Sequence, residues 1–213
     1  MNEEKKEALY HIDKEKTINC PQCGDLIDVH FKWTRLIVCN SCKSTLFLNP
    51  KGNILRLGDF SELSPEPSLV KLHEAIKIDN QVYLPLGKIR YSYGRGFWEE
   101  WFLKGAKNRE FWLSIDEGDF VLQQRIKMSL PFKNPREVVV GKEYSRYIAT
   151  EKGWGKCVGF EGELPERIKL DAVHYYIHLS RGEGKLLTVE YENEQVTESY
   201  TGQWIVPFSI EKV

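Results

Sequence analysis

Two Cys-x-x-Cys pairs, Cys20/Cys23 and Cys39/Cys42, stand 15 residues apart in the stretch NCPQCGDLIDVHFKWTRLIVCNSCKST. No other feature limits the local fold as strongly. Two thiolates separated by two residues can face one ion when the backbone turns tightly between them. Two such turns complete a tetrahedron with Zn–S bonds of about 2.3 Å. Gly24 suits a turn that needs positive φ, and Pro21 stiffens it. Leu26 to Phe31 and Arg35 to Val38 read as two short strands between the knuckles, which makes a zinc ribbon. A module of about 40 residues buries too little apolar surface to fold alone, so the metal supplies stability. Four thiolates leave no open position for water, so the zinc is read as structural and not catalytic. Iron in the same sulfur tetrahedron is the rival ion. A thioredoxin-like dithiol calls for one pair at the start of a helix, and no helical pattern follows either pair. His30, alone on a strand, reads as a surface residue.

The formal net charge is -1, without the basic excess of proteins that live on phosphates. Lys32, Trp33 and Arg35 on the ribbon are the only encouragement for nucleic-acid binding, so that class is set aside. Runs such as Leu36-Ile37-Val38 fall far short of the roughly 20 apolar residues a membrane helix needs, so no membrane insertion is expected. No secretory pattern opens the chain, and paired Cys-x-x-Cys motifs suit a reducing compartment. Together these point to a cytoplasmic protein.

Four segments follow along the chain. Residues 1–17 form a charged leader, with a short helix expected from Lys5 to His11. Residues 18–58 hold the ribbon. Residues 59–69 form a connection built around SELSPEPSL, whose prolines break regular structure. Residues 70–213 are strand-rich. There, apolar alternation meets turn signals at Asp79-Asn80, Gly94-Arg95-Gly96, Glu117-Gly118, Gly182-Glu183-Gly184 and Glu192 to Gln195. The expected fold class is mainly β: a small N-terminal zinc ribbon followed by an antiparallel β-sandwich or barrel-like domain. Residues 75–126 and 145–206 form two β-rich halves whose similarity is too loose to be a repeat.

The most distinctive run is KIRYSYGRGFWEEWFL, residues 88–103. As a strand it puts Phe97, Glu99, Trp101 and Leu103 on one face and Trp98, Glu100 and Phe102 on the other. Each face mixes aromatics with a carboxylate, unlike a sheet wet on one side. One reading is a core strand in which a buried glutamate pairs with Arg90 or Arg95. The other is a shallow pocket formed by Arg90, Tyr91, Tyr93, Trp98, Glu99, Glu100 and Trp101, suited to a small cationic or sugar-like ligand. His174, Tyr176 and His178 share one strand face. Their outer members are about 13 Å apart, too far to share a metal. Glu161 to Pro165 reads as a strand end and turn, and Cys157 as a small strand residue. No G-x-S-x-G, H-E-x-x-H or other catalytic motif occurs, so a binding protein is preferred to an enzyme using Glu99 or Glu100 as acid or base.

The order of motifs resembles a known family. It runs C-P-x-C-G and C-x-x-C, then G-x-I-R-Y-x-Y (Gly87 to Tyr93), W-x-E-W (Trp98 to Trp101) and W-L-S with a D-E-G turn (Trp112 to Gly118). G-E-L-P (Gly162 to Pro165) and a tail through Tyr200 and Gly202 complete it. This is similar to an uncharacterised bacterial family that joins a zinc ribbon to a β-rich domain of unknown function. The resemblance implies a non-enzymatic adaptor or binding role with a protein partner, accessory to a membrane-stress or polyamine-related system. It supplies no active site. One departure is Lys43, where such ribbons often place glycine after the second pair.

Overall fold

The computed structural model describes residues 15–130 and 132–213; the helix expected at Lys5 to His11 lies outside them. The ribbon and its connection carry strands β1 (Lys16–Asn19), β2 (Leu26–Val29), β3 (Leu36–Val38), β4 (Ser44–Leu48) and β5 (Ile54–Phe60). Then come β6 (Ile76–Ile78), β7 (Gln81–Ser92), β8 (Phe97–Lys104), β9 (Glu110–Asp116), β10 (Asp119–Arg125) and β11 (Glu143–Tyr144). The last are β12 (Tyr147–Leu164), β13 (Val173–Arg181), β14 (Lys185–Glu192), β15 (Gln195–Ile205) and β16 (Glu211–Lys212).

Eight of these strands close an antiparallel barrel in the order β7-β8-β9-β10-β15-β14-β13-β12, sealed where β12 pairs with β7. It consists of two four-stranded meanders, one from each β-rich half, joined at β10–β15 and β12–β7. The turns follow their residues. Asp79 and Asn80 hold φ of 47° and 64°, and Glu117 and Gly118 hold 46° and 100°. Positive φ at both central residues matches the right-handed twist of the flanking strands.

β12 makes the closure possible. Its first half pairs with β13 as far as Lys156, its second half with β7 from Lys156 to Gly162, and its end with β3 of the ribbon. Bulges at Ala149/Glu151 and Cys157/Gly159 bend it along the way. Gly162 takes φ of 70°, and a Cβ there would lie 2.2 Å from the Leu86 carbonyl oxygen, so only glycine fits where the strand passes from barrel to ribbon.

The two strands expected at Leu26 to Phe31 and Arg35 to Val38 are present as β2 and β3, but they do not pair with each other. β2 pairs with β1, whereas β3 pairs with β4 and β12, so the two strands belong to different sheets. The reason is the buried Glu163 carboxylate on β12. It accepts the backbone N–H of His30 (2.9 Å) and of Phe31 (3.2 Å) and the Thr34 hydroxyl (2.9 Å), drawing the segment between β2 and β3 onto the barrel. Phe31 then packs edge-on against Phe102, ring centroids 5.1 Å apart, within the same apolar cluster as Leu36, Ile89, Tyr91 and Trp98. The ribbon is thus part of the barrel wall's own core.

Both faces of the barrel wall are covered in places. Trp101, Leu103, Phe111, Leu113 and Phe120 face outward and pack with Ile76 and Ile78 of β6 and with Val70. Ala149, Ile177, Leu179, Leu187 and Val189 face outward elsewhere, under Ile126, Phe132, Val138 and Tyr144. Inside, Ile89, Trp98, Phe102 and Trp112 belong to the apolar cluster that takes in Phe31, and a cavity remains beside them.

Candidate ligand cavity and metal centre

The inward residues of the barrel surround a cavity of about 320 Å³, at the small end of the range for ligand sites. β8 contributes Trp98 and Glu100; β9 contributes Trp112, Ser114 and Asp116 at alternate positions. β13 contributes His174, Tyr176 and His178, and β14 contributes Thr188 and Glu190. Tyr91, Gln123 and Tyr200 complete the wall, and the 165–172 segment brings Glu166 and Ile168. That segment folds back beside β12, where Cys157 N–H donates to the Ala172 carbonyl and Asp171 N–H to that of Cys157 (both 2.9 Å).

One side is aromatic. Trp98 stacks on Tyr91 (5.0 Å, 24°), and Tyr91 stacks on His174 (4.8 Å, 30°). Tyr176 meets Trp98 edge-on at 5.4 Å and His178 at 4.8 Å. Room for the Trp98 ring comes from Gly155, where a Cβ would lie 2.1 Å from the indole. At one end of this row, Glu151 accepts the Tyr176 hydroxyl at 2.7 Å and contacts His178 Nδ1 at 3.2 Å. His178 first, then Tyr176, holds the Glu151 carboxyl below its usual range.

The other side is acidic. Burial pushes the Glu100 carboxyl up to about 8, against the opposing pull of Ser114, while Glu190 adds repulsion. Burial raises Glu166 and Glu190 as well, and Glu166 is raised further by Glu190. Burial likewise raises Asp116. Burial drives His174 down to about 4, so it stands neutral with Nε2 3.8 Å from Glu190 Oε1. Among the described residues, three polar atoms of the wall have no hydrogen-bond partner: Asp116 Oδ1, Gln123 Oε1 and Thr188 Oγ1. Buried polar groups are paired in nearly all native structures, so these atoms mark where a bound molecule or ordered water belongs.

The seven residues named from the aromatic run divide by face. Tyr91, Trp98 and Glu100 line the cavity. Arg90, Glu99 and Trp101 lie outside the barrel. Arg90 Nη2 contacts Glu99 Oε1 at 2.7 Å, Trp101 Nε1 donates to Glu99 Oε2 at 3.0 Å, and Lys88 Nζ stands 3.4 Å away. Tyr93 sits at the β7–β8 turn, where its hydroxyl donates to Glu117 at 2.9 Å. Glu166, Gln123, Thr188 and Glu190 were not singled out from sequence. Their signal is inverted alternation: in KLLTVEYE, Thr188 and Glu190 interleave with Leu187 and Val189, but the apolar set faces out. The buried Cys157 thiol is pushed up to about 11 by desolvation, which keeps it protonated and unreactive.

The four cysteines form a second centre. Their sulfurs all lie within 4.8 Å of one another, with Cys20–Cys42 and Cys23–Cys39 both at 3.7 Å. A tetrahedron with 2.3 Å bonds has edges of about 3.8 Å, so the donor set fits a single ion such as zinc. Gly24 N–H donates to the Cys20 carbonyl and Lys43 N–H to that of Cys39 (2.8 and 2.9 Å), forming two matching knuckles. Lys43 takes the φ of 57° that glycine would adopt more easily. His30, His73 and Glu163 also lie within 4.8 Å of one another. Here, however, the carboxylate is already occupied by donors from residues 30, 31 and 34, including His30 Nδ1 at 2.7 Å. That group anchors the ribbon. Trp33 is exposed beside it, with Lys32 Nζ 4.7 Å from its ring centroid, and Arg35 donates to the Thr34 carbonyl.

The molecule is a closed antiparallel barrel with an acidic, aromatic interior, carrying a four-cysteine module on its wall. The chain belongs to the family described as Domain of unknown function (DUF4178), whose model matches residues 71–207, the barrel without the four-cysteine module. No curated protein and no solved structure matches the chain.

Proposed function

We propose that this protein binds a small molecule inside its barrel, with the four-cysteine module, loaded with structural zinc, helping to close and stiffen the wall. The observation that carries this reading is the trio of unpartnered atoms, Asp116 Oδ1, Gln123 Oε1 and Thr188 Oγ1, around one cavity. A barrel interior built only for stability would be filled by apolar side chains. A catalytic role has less support, because the Tyr176 hydroxyl that meets Glu151 is pushed up by burial and by that carboxylate and so stays protonated.

Native mass spectrometry of the chain from its own host should show a bound small molecule. Small aromatic fragments should broaden in NMR spectra of the wild type and not in Thr188→Phe, with circular dichroism confirming that the variant is folded. No adduct, together with identical fragment spectra for both chains, would dismiss the reading. Elemental analysis should find one zinc per chain, lost in Cys39→Ser; an intact ribbon without metal would remove the zinc role.

A protein partner is the second reading, and β5 favours it. This strand pairs only with β4 among the described residues, and it exposes Leu55 and Leu57. An open edge of this kind can take an added strand. Leu55→Arg/Leu57→Arg should then remove a protein captured by the wild-type chain; an unchanged set of captured proteins would end this reading.

A further inference from the structure

The cavity's unpartnered atoms have a chemical sense. Asp116 Oδ1 and Gln123 Oε1 are acceptors, and the Thr188 hydroxyl can act as one. Gln123 and Thr188 are each only 5% exposed, so bulk water does not satisfy them. A ligand that completes this site must therefore bring donors. The charge around it has one sign. Glu100, Asp116, Glu166 and Glu190 line the space. The two basic residues of the lining, Arg167 and Lys169, are exposed, and Arg167 donates outward to the Leu48 carbonyl at 2.9 Å. Arg125, the nearest cation to influence Glu190, is itself ion-paired with Glu198.

Three ligand classes can be weighed. A metal ion needs its donors gathered at one point. Among the described residues the only such clusters are the four cysteines and the His30/His73/Glu163 group, neither of them in the cavity. A sugar offers donors and acceptors alike and supplies no counter-charge when the acidic groups ionise. An organic cation with N–H groups satisfies both conditions, and Trp98 and Tyr91 offer it aromatic surface.

We propose that the barrel's ligand is a protonated amine, its N–H groups held by Thr188 and its charge balanced by Glu190, on the same face of β14, and by Glu100. This rests on the cavity being a ligand site. The test is calorimetric titration of the full chain at pH 8.5 and low salt with ethylamine, butylamine, cyclohexylamine and 2-phenylethylamine. Each is paired with the alcohol of the same skeleton, and the best amine also with its N-trimethylated form. At least one amine should bind tenfold or more tightly than its alcohol. Trimethylation should cost at least tenfold, because it removes every N–H donor. Glu190→Gln should weaken the amine tenfold and leave the alcohol unchanged; this variant loses a buried charge and should fold. Alcohols binding as tightly as amines would overturn the amine assignment while leaving the cavity reading intact. Equal binding of the trimethylated form would overturn the N–H contacts. No binding by either series would overturn the proposal, and the native mass measurement then decides separately whether the cavity takes any ligand.

Discussion

Glu99 and Glu100 are neighbours on one strand, yet they live in opposite worlds. Glu99 points out of the barrel into a cluster that answers each of its oxygens: Arg90 and Lys88 on one, Trp101 on the other. Glu100 points inward, where burial dominates and the nearest charges are more carboxylates. The same contrast recurs on β12 and β14, where Glu163 is saturated by the ribbon and Glu190 faces the cavity. The outer set holds the structure together. The inner set is left without matching partners and costs stability.

The sharpest way to break this contrast is to remove a saturated carboxylate. Glu163→Ala strands the backbone N–H groups of His30 and Phe31 at the junction of ribbon and barrel, while the Thr34 hydroxyl keeps the Phe31 carbonyl as acceptor. Each orphaned donor costs about 1–3 kcal/mol, so a loss on the order of 4 kcal/mol in urea unfolding is expected. Proteolysis should then cut between β2 and β3 first. A loss under about 1 kcal/mol would show that the ribbon docks by other means.

Arg90→Met comes next. It leaves Glu99, 6% exposed, with Lys88 as its only cation among the described residues. Breaking a buried pair by removing one partner costs about 3 kcal/mol or more; Lys88 tempers this to about 2–3 kcal/mol. Double replacement of Arg90 by Met and Glu99 by Gln should recover much of it. A double variant no better than the single would show that packing, not charge, is what Arg90 supplies.

Much of this molecule was legible in the residues. The cysteine spacing gave the metal-site geometry, and the turn signals gave the hairpins and the barrel-like β class. The mixed faces of Phe97 to Leu103 were correctly a warning, because both sides of β8 carry a buried aromatic and a carboxylate. The interior was harder to read. Alternation reports which face is apolar, and on β13 and β14 the apolar face packs under residues 126–147 on the outside. The pattern therefore looks like an ordinary half-buried sheet with Thr188 and Glu190 in water. Only closure by β12, a long-range pairing that local sequence does not encode, turns that polar face into a cavity wall. The ribbon's split between two sheets is equally non-local, since it depends on Glu163, more than a hundred residues away in the chain.

The subtlest prediction concerns Glu100 itself. Its carboxyl titrates near 8 in the folded chain against an ordinary 4.5. The folded state therefore keeps a proton that the unfolded state has lost, and stability falls as pH rises across that window. Asp116, Glu166 and Glu190, all raised by burial, act in the same direction. His174 acts in the opposite direction. Lowered to about 4 from 6.5, it removes stability as pH falls between those values. Four acids outweigh one histidine, so the empty barrel should lose stability steadily from about pH 5 toward pH 9. Glu100→Gln keeps the shape and removes one of the four acids. Urea unfolding should find it close to wild type near pH 4 and increasingly more stable above that, by on the order of 2 kcal/mol at pH 6 and by more at pH 9. The same substitution at Glu99 should destabilise at pH 6 and at pH 9, because its charge is answered. If Glu100→Gln tracked the wild type at every pH, the inner carboxylates would be as well compensated as the outer ones, and the contrast between the two faces of β8 would collapse.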